Sequence, residues 1–360
     1  MMPTSEDELS GMIRDASGPI SVQGGGTRGV FADGQALSTA GLSGITLYEP
    51  GALTLVARAG TPLAEIEAAL AAEGQRLAFE PTDMRALLGT SGAPTIGGIV
   101  ATNASGPRRI QVGACRDHLL GVRFVDGAGN IVKNGGRVMK NVTGYDLVKL
   151  LAGAHGTLGV MTEVSLKVLP LPQAVATLSI PDLDAAQAVA AMSAALGSPY
   201  DVTGAAWAEG AAIVRLEGFS DSVAYRADRL AEELTQFGAV TIGDVDWSAV
   251  RDARAFAGQP GDVWRVSIRP SAMPAMVSAL RAGGDVQVMA DWGGGLLWVL
   301  CAAGRDLRTS ITSGHATRVR GDASAAIARF HHEPAAVAAL SRGLRQRFDP
   351  RGILNAGVMG

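Results

Sequence analysis

The chain has 360 residues, 31 basic against 34 acidic side chains, a formal net charge of -3, and 47% hydrophobic content. That content fills one or two cores and excludes a disordered chain, and the lack of a basic excess excludes a nucleic-acid partner. Two cysteines, Cys115 and Cys301, exclude a disulfide framework and a four-cysteine zinc or iron–sulfur site held by this chain alone.

The first ten residues are polar and acidic, without the pattern of a signal peptide. The longest apolar run, Leu296 to Ala303, falls far short of the roughly 18 residues of a membrane span. A cytoplasmic protein is expected, reaching the inner membrane only through a partner subunit. Residues 20 to 23 read as a strand that runs into Gly24-Gly25-Gly26. Ile45 to Glu49 and Leu53 to Arg58 read as a hairpin around Pro50-Gly51. The spacing of Leu63, Ile66 and Leu70 predicts a helix over 63 to 73, with Thr61 as N-cap and Pro62 in the first turn. Asp126-Gly127-Ala128-Gly129 predicts a second hairpin between Leu119 to Val125 and Asn130 to Lys133. Val160 to Leu169 alternates like a strand and stops at Pro170. Locally paired strands with few long helices between them point to an α+β fold.

Pro170-Leu171-Pro172-Gln173 is the expected boundary. Beyond it, alanine-rich helices at Asp184 to Leu196 and Ser222 to Phe237 alternate with strands such as Ala211 to Leu216. This predicts a smaller α+β cap domain over 173–325, after a first domain over 1–170. A helix over Pro334 to Phe348 and a tail to residue 360 form a third segment, 326–360.

Glycine is the compositional outlier, 47 of 360 residues, nearly twice the usual roughly 7%. Gly24-Gly25-Gly26-Thr27-Arg28-Gly29 matches the dinucleotide fingerprint G-x-G-x-x-G, with Glu49 twenty residues on. That fingerprint needs a helix at its third glycine, because the pyrophosphate sits on the helix N-terminus. Residues 30 to 44 have no helical periodicity, so nicotinamide binding is disfavoured. The loop is either a backbone nest for a phosphate or a tight turn. The second cluster, Pro94 to Gly106, includes Gly97, Gly98, Thr102 and Ser105. Its small residues fit either a flat or charged ligand or a tightly packed helix–strand corner. The third cluster runs from Lys140 through Gly144, then Gly153-Ala154-His155-Gly156-Thr157-Leu158-Gly159-Val160. Open backbone at Gly159 and Val160 can meet a ring edge, or simply feed a buried strand.

In this order and spacing, the three clusters resemble the FAD-binding domain of the vanillyl-alcohol-oxidase or PCMH-type flavoprotein superfamily, over residues 18 to 170. Within it the chain is most similar to the FAD-binding E subunits of bacterial three-subunit glycolate oxidases. That narrower likeness rests on Phe79-Glu80-Pro81-Thr82-Asp83, Arg108-Arg109, Arg116-Asp117-His118-Leu119-Leu120-Gly121, Gly314-His315-Ala316-Thr317, and Phe348-Asp349-Pro350 with Leu354-Asn355.

The resemblance implies a PCMH-type two-subdomain fold with an extended FAD. Gly24, Gly25, Gly26, Thr27, Arg28 and Gly29 would cradle the pyrophosphate, and Pro81 and Thr82 would border the flavin or ribityl side. Gly97, Gly98, Thr102, Ser105 and Gly106 would form the second wall. Gly159 and Val160 would meet the adenine, and Asn355 would return to the flavin region, although Ala356 stands where the family has proline. Some relatives tether flavin through a histidine in the first loop; here Thr27 and Arg28 stand there, and no histidine precedes His118, so a noncovalent FAD is expected. The resemblance also implies a small 2-hydroxy acid substrate, glycolate or D-lactate, a larger FAD-linked oxidase subunit and an iron–sulfur subunit. The alternatives are a self-sufficient dehydrogenase or oxidase of another small hydroxylated substrate, or an accessory subunit whose FAD is structural or relays electrons.

The histidine-rich metal motif of relatives that oxidise 2-hydroxy acids is absent from the five histidines, and no metal is expected. His331-His332-Glu333 reads as a surface pair. His315 is the candidate base, against a structural role, and Arg109, with Arg108, is the candidate carboxylate clamp, against an ion pair within the domain. The five tryptophans, all beyond residue 200, read mainly as core.

Overall fold

Pro50 and Gly51 lie in a one-turn 3-10 helix that reverses the chain between the antiparallel strands Ile45–Glu49 and Thr54–Arg58. Asp126 shapes the other turn: its carboxylate accepts the backbone N–H groups of Ala128 and Asn130, between Leu119–Val125 and Ile131–Gly135. Val160–Lys167 joins the two hairpins. It pairs with Thr54–Arg58 on one side and with Leu119–Val125 on the other, closing a five-stranded antiparallel sheet.

These features belong to a computed structural model that describes residues 1–138, 144–321 and 327–359. The start of the third glycine cluster, Lys140 to Thr143, lies outside the described residues. Helices Leu63–Ala72 and Ile96–Ala101 cover the five-stranded sheet, burying Ile66, Leu70, Ile96 and Ile99 against Leu55, Phe124, Val164 and Leu166. The expected Thr61 cap does not form. Pro62 occupies the cap position without a side-chain hydrogen bond. The buried Thr61 hydroxyl instead donates to the Arg58 carbonyl at 2.7 Å.

A second core in the same unit gathers Leu9, Ile13, Ile20, Leu37, Val125, Val160 and Leu354. It is built by helix Glu6–Asp15, the parallel strands Ile20–Gln23 and Gln35–Ser38, and the tail. No helix follows the first glycine loop: Gln35–Ser38 and a 3-10 turn over Thr39–Gly41 occupy that stretch. The unit comprises Met1–Ser105, Gly113–Leu171 and the chain from His332.

The second unit comprises Gly106–Val112 and Pro172–His331. The short segment Gly106–Val112, sequentially inside the first domain, is thus part of the second. Its antiparallel sheet has eight strands in the order Thr241–Gly243, Ala174–Ile180, Ala211–Gly218, Val202–Ala208, Val286–Asp291, Leu296–Cys301, Asp262–Ser267, His315–Arg320. The two halves meet at a single pairing, Trp207 with Ala290. Helices Ala185–Gly197, Ser220–Leu234 and Met273–Ala282 bury one face through Ala188, Met192, Leu230 and Met276 against Val214, Trp264, Val266 and Leu297. Asp184 starts the first of them with a capping box closed by Gln187. Trp207, Trp247, Trp264 and Trp298 are buried, whereas Trp292 is half-buried. No helix among the described residues is long and apolar enough to cross a membrane.

Candidate cofactor site

A cleft open to solvent lies in the first unit, the kind of concavity that small-molecule and cofactor sites use. Gly24, Gly26, Thr27 and Arg28 line one side, and Gly97, Gly98 and Thr102 another. Gly156, Gly159 and Asn355 complete it, with His155 and Met161. The strand Ile20–Gln23 delivers the first loop, helix Ile96–Ala101 carries the second wall, and the turn before Val160–Lys167 carries the third.

Close packing explains most of these glycines. A β-carbon on Gly97 would stand 2.7 Å from the Ala59 carbonyl oxygen, one on Gly159 2.6 Å from the Phe124 ring, and one on Gly156 2.9 Å from Asn355 Nδ2. Gly98 is different. It sits inside a helix, where glycine costs roughly 0.5–1 kcal/mol relative to alanine. A β-carbon there would meet only the Thr95 hydroxyl, at 3.4 Å. The protein leaves a β-carbon room at this position, and Gly98 lines the cleft.

Arg28 brings positive charge to the wall. Its guanidinium donates to Thr82 Oγ1 at 2.9 Å and to the Thr82 carbonyl at 2.6 Å. Asn355, with φ +43°, locks the tail to the first loop. Its Oδ1 accepts the Val22 N–H at 2.7 Å and its Nδ2 donates to the His155 carbonyl at 2.7 Å. Glycine backbone, a fixed guanidinium and hydroxyls suit the diphosphate and flat rings of FAD.

Several residues singled out in the sequence stand elsewhere. Pro81 and Thr82 are buried away from the cleft lining, and Thr82 acts through Arg28. Gly25 and Gly29 do not line it either: Gly25 packs on the Ala93 backbone, and a β-carbon on Gly29 would meet Leu88 at 3.1 Å. The Ser105 hydroxyl is committed, accepting from Cys115 N–H at 2.9 Å and donating to Asn103 O at 3.2 Å. Val160 turns its side chain into the second core and pairs with Val125. Gly106 belongs to the second unit, where its carbonyl accepts the Trp292 indole N–H at 3.0 Å. The sequence reading missed Thr39 and Ala59, which carry no glycine or motif signal, and the roles of His155 and Met161, which flank glycines of the third cluster.

His315 and Arg109 fall in the second unit, on and beside the sheet. Arg109 lies over the Trp292 ring with its Cζ 4.4 Å from the centroid, and Arg265 lies over the same ring at 5.0 Å. Burial and the neighbouring Arg109 lower the Arg265 pKa to about 10. His315 pairs with Ser267 at the sheet edge and is solvent-exposed; partial desolvation, then Arg265, His331 and Arg109, lower its imidazole pKa from the ordinary value. Arg108 forms a buried ion pair with Glu217 inside the same unit.

Residues 1–135 match the family model of the FAD binding domain. Alkyldihydroxyacetonephosphate synthase has a similar fold, with a TM-score of 0.72 over 99% of this chain and 75% of that one at 16% identity. The chain thus carries an FAD-binding domain in a fold shared with that synthase, and it belongs to an FAD-dependent oxidoreductase family. The chain belongs to the family of the glycolate oxidase subunit GlcE: it is 35% identical to that of Escherichia coli over 98% of its own length and 95% of the relative's. It is also 31% identical to the D-lactate dehydrogenase of Archaeoglobus fulgidus, over 50% of this chain and 40% of that one. The glycolate oxidase subunit GlcD of Bacillus subtilis is 31% identical over 49% of this chain and 38% of that one.

Proposed function

We propose that this chain is the FAD-binding subunit of a complex that oxidises glycolate or D-lactate to the 2-oxo acid. Gly98 carries the reading: a helix glycine with open space above it is explained by a ligand that needs the space. Gly24, Gly26, Thr27 and Arg28 would hold the diphosphate, Gly97, Gly98 and Thr102 the second wall, and Gly159 the far end of the cleft. Gly25, Gly29, Pro81, Thr82, Ser105 and Val160 shape these elements from behind, and Asn355 keeps the tail, the first loop and the His155 turn in register. When bound, FAD would supply a hydride acceptor for the substrate carbon.

The first loop offers Thr27 and Arg28 where a tethering histidine would stand, so the flavin is held noncovalently. Only two cysteines are present, and both are buried, so an iron–sulfur centre for onward electron transfer belongs to a partner subunit. A larger flavoprotein subunit completes the assembly, and it carries the main oxidation. His315 and Arg109 are the groups of this chain that would face substrate.

The test is Gly98→Leu. The variant is expected to fold with thermal stability no lower than the parent's and to purify without FAD. Normal flavin content in the folded variant would remove the cleft as the cofactor site. Acid precipitation of the parent is expected to release all flavin to the supernatant; yellow colour left in the pellet would refute noncovalent binding.

A further inference from the structure

We propose that Arg265, with Arg109 and the Trp292 indole, forms a binding site for the carboxylate of a small 2-hydroxy or 2-oxo acid on the sheet face of the second unit. The ligand class rests on the function proposed above; the site rests on geometry.

Arg265 stands on strand Asp262–Ser267 opposite Trp298, while its neighbours Trp264 and Val266 point into the helix-covered core. Strand alternation therefore puts Arg265 on the other face. Among the described residues its guanidinium makes no hydrogen bond and no ion pair beyond its position over Trp292. The carboxylate that acts on it electrostatically is Asp291. That side chain is buried and accepts the Trp292 N–H at 2.6 Å. A half-buried guanidinium without a hydrogen-bonded anion, beside a second guanidinium, is costly unless an anion joins it.

Trp292 is a built platform. It holds φ +55°, a left-handed backbone that is strained for a bulky residue and persists where surroundings over-determine it. Asp291 fixes its backbone and the Gly106 carbonyl fixes its indole. The same short segment, Gly106–Val112, delivers both that carbonyl and Arg109. An indole face attracts a guanidinium, yet two guanidinium groups on one ring repel each other. A planar carboxylate met by the Arg265 fork would offset that repulsion. His315 lies close enough to feel Arg265, Arg109 and His331. As a neutral imidazole it can accept from, or donate to, an oxygen on the carbon next to the carboxylate.

The test is a calorimetric titration of the purified full chain with oxamate, an unreactive 2-oxo-acid analogue, and with inorganic phosphate. Flavin content is measured on every sample. Saturable oxamate binding is expected, at least tenfold weaker in Arg265→Met, with an intermediate loss in Arg265→Lys and unchanged FAD content in both. His315→Asn, at the sheet edge, is expected to weaken oxamate severalfold and provides a second variant. FAD-loaded protein with no saturable oxamate binding would overturn the site, as would Arg265→Met binding within twofold of the parent. Phosphate binding as tightly as oxamate would overturn the carboxylate assignment. A chain that purifies without FAD yet binds oxamate through Arg265 would sink the cofactor reading and uphold this one.

Discussion

The α-carbon of Gly25 lies against the carbonyl oxygen of Ala93, so that a β-carbon at position 25 would overlap it, and Gly92 stands in the same relation to the Gly25 carbonyl. Two backbones cross here with no side chain between them. The crossing brings the first glycine loop beside Thr95, which caps helix Ile96–Ala101. Gly25→Ala and Gly92→Ala are each expected to cost about 3 kcal/mol or more, as overpacking against rigid backbone. Gly26→Ala, with φ +67° but open space, should cost only about 1–2 kcal/mol. Denaturant midpoints for the three variants test this; equal losses at 25 and 26 would contradict the crossing.

Asn355→Ala leaves the Val22 N–H without its 2.7 Å acceptor and the His155 carbonyl without its donor. A loss of about 2 kcal/mol is expected, together with weaker FAD retention, because both partners lie on residues that line the cleft. Thermal unfolding and the flavin-to-protein ratio measure the two effects. Full retention of flavin would show that the tail does not position the cleft.

Arg108 and Glu217 are both almost fully buried, and Arg215 stands 3.5 Å from the same carboxylate. Arg108→Met is expected to destabilise by roughly 3–5 kcal/mol, since an acid is left poorly compensated. The double variant Arg108→Met, Glu217→Met should be no more stable than the single one, because it takes this carboxylate from the buried Arg215. A double variant that recovers the loss would show that Arg215 does not depend on Glu217.

The Glu6 carboxylate accepts from Arg123 Nε at 2.9 Å and also from the Thr162 hydroxyl. The Arg123 hydrogen bond holds its pKa below the usual value, with burial opposing. A depressed folded pKa means the charged form favours folding. The contribution is complete above the unfolded value of about 4.3 and fades as pH falls through the folded one. Glu6→Gln should therefore lose about 1–2 kcal/mol at neutral pH, and the gap to the parent should narrow on acidification. A gap that stays constant from neutral to strongly acidic pH would argue against this role.

Burial pushes the Cys115 thiol far up and the Cys301 thiol to about 11. Thiolate, the reactive form, is scarce at neutral pH. The native protein should give no rapid reaction with a disulfide reagent, and two equivalents after unfolding. Prompt labelling of one thiol in the native state would refute the burial.

The sequence by itself determined the hairpins at Pro50-Gly51 and Asp126-Gly127, the change of composition after Pro170, and the three glycine clusters. Turn chemistry and periodicity are local, so neighbouring residues state them. The cofactor family was legible because three clusters recur in one order. Which glycine faces a ligand was not legible: Gly25 and Gly98 look alike in the chain, and only the crossing at Ala93 and the open space above helix Ile96–Ala101 separate them. Thr82 and Ser105 looked like ligand contacts because a hydroxyl has no visible partner until Arg28 and Cys115 are placed. Arg108 and Arg109 are adjacent in sequence, yet one is spent on Glu217 while the other meets Arg265 over Trp292. Those partners lie more than one hundred residues away, and charge pairing across that separation is decided by tertiary packing alone.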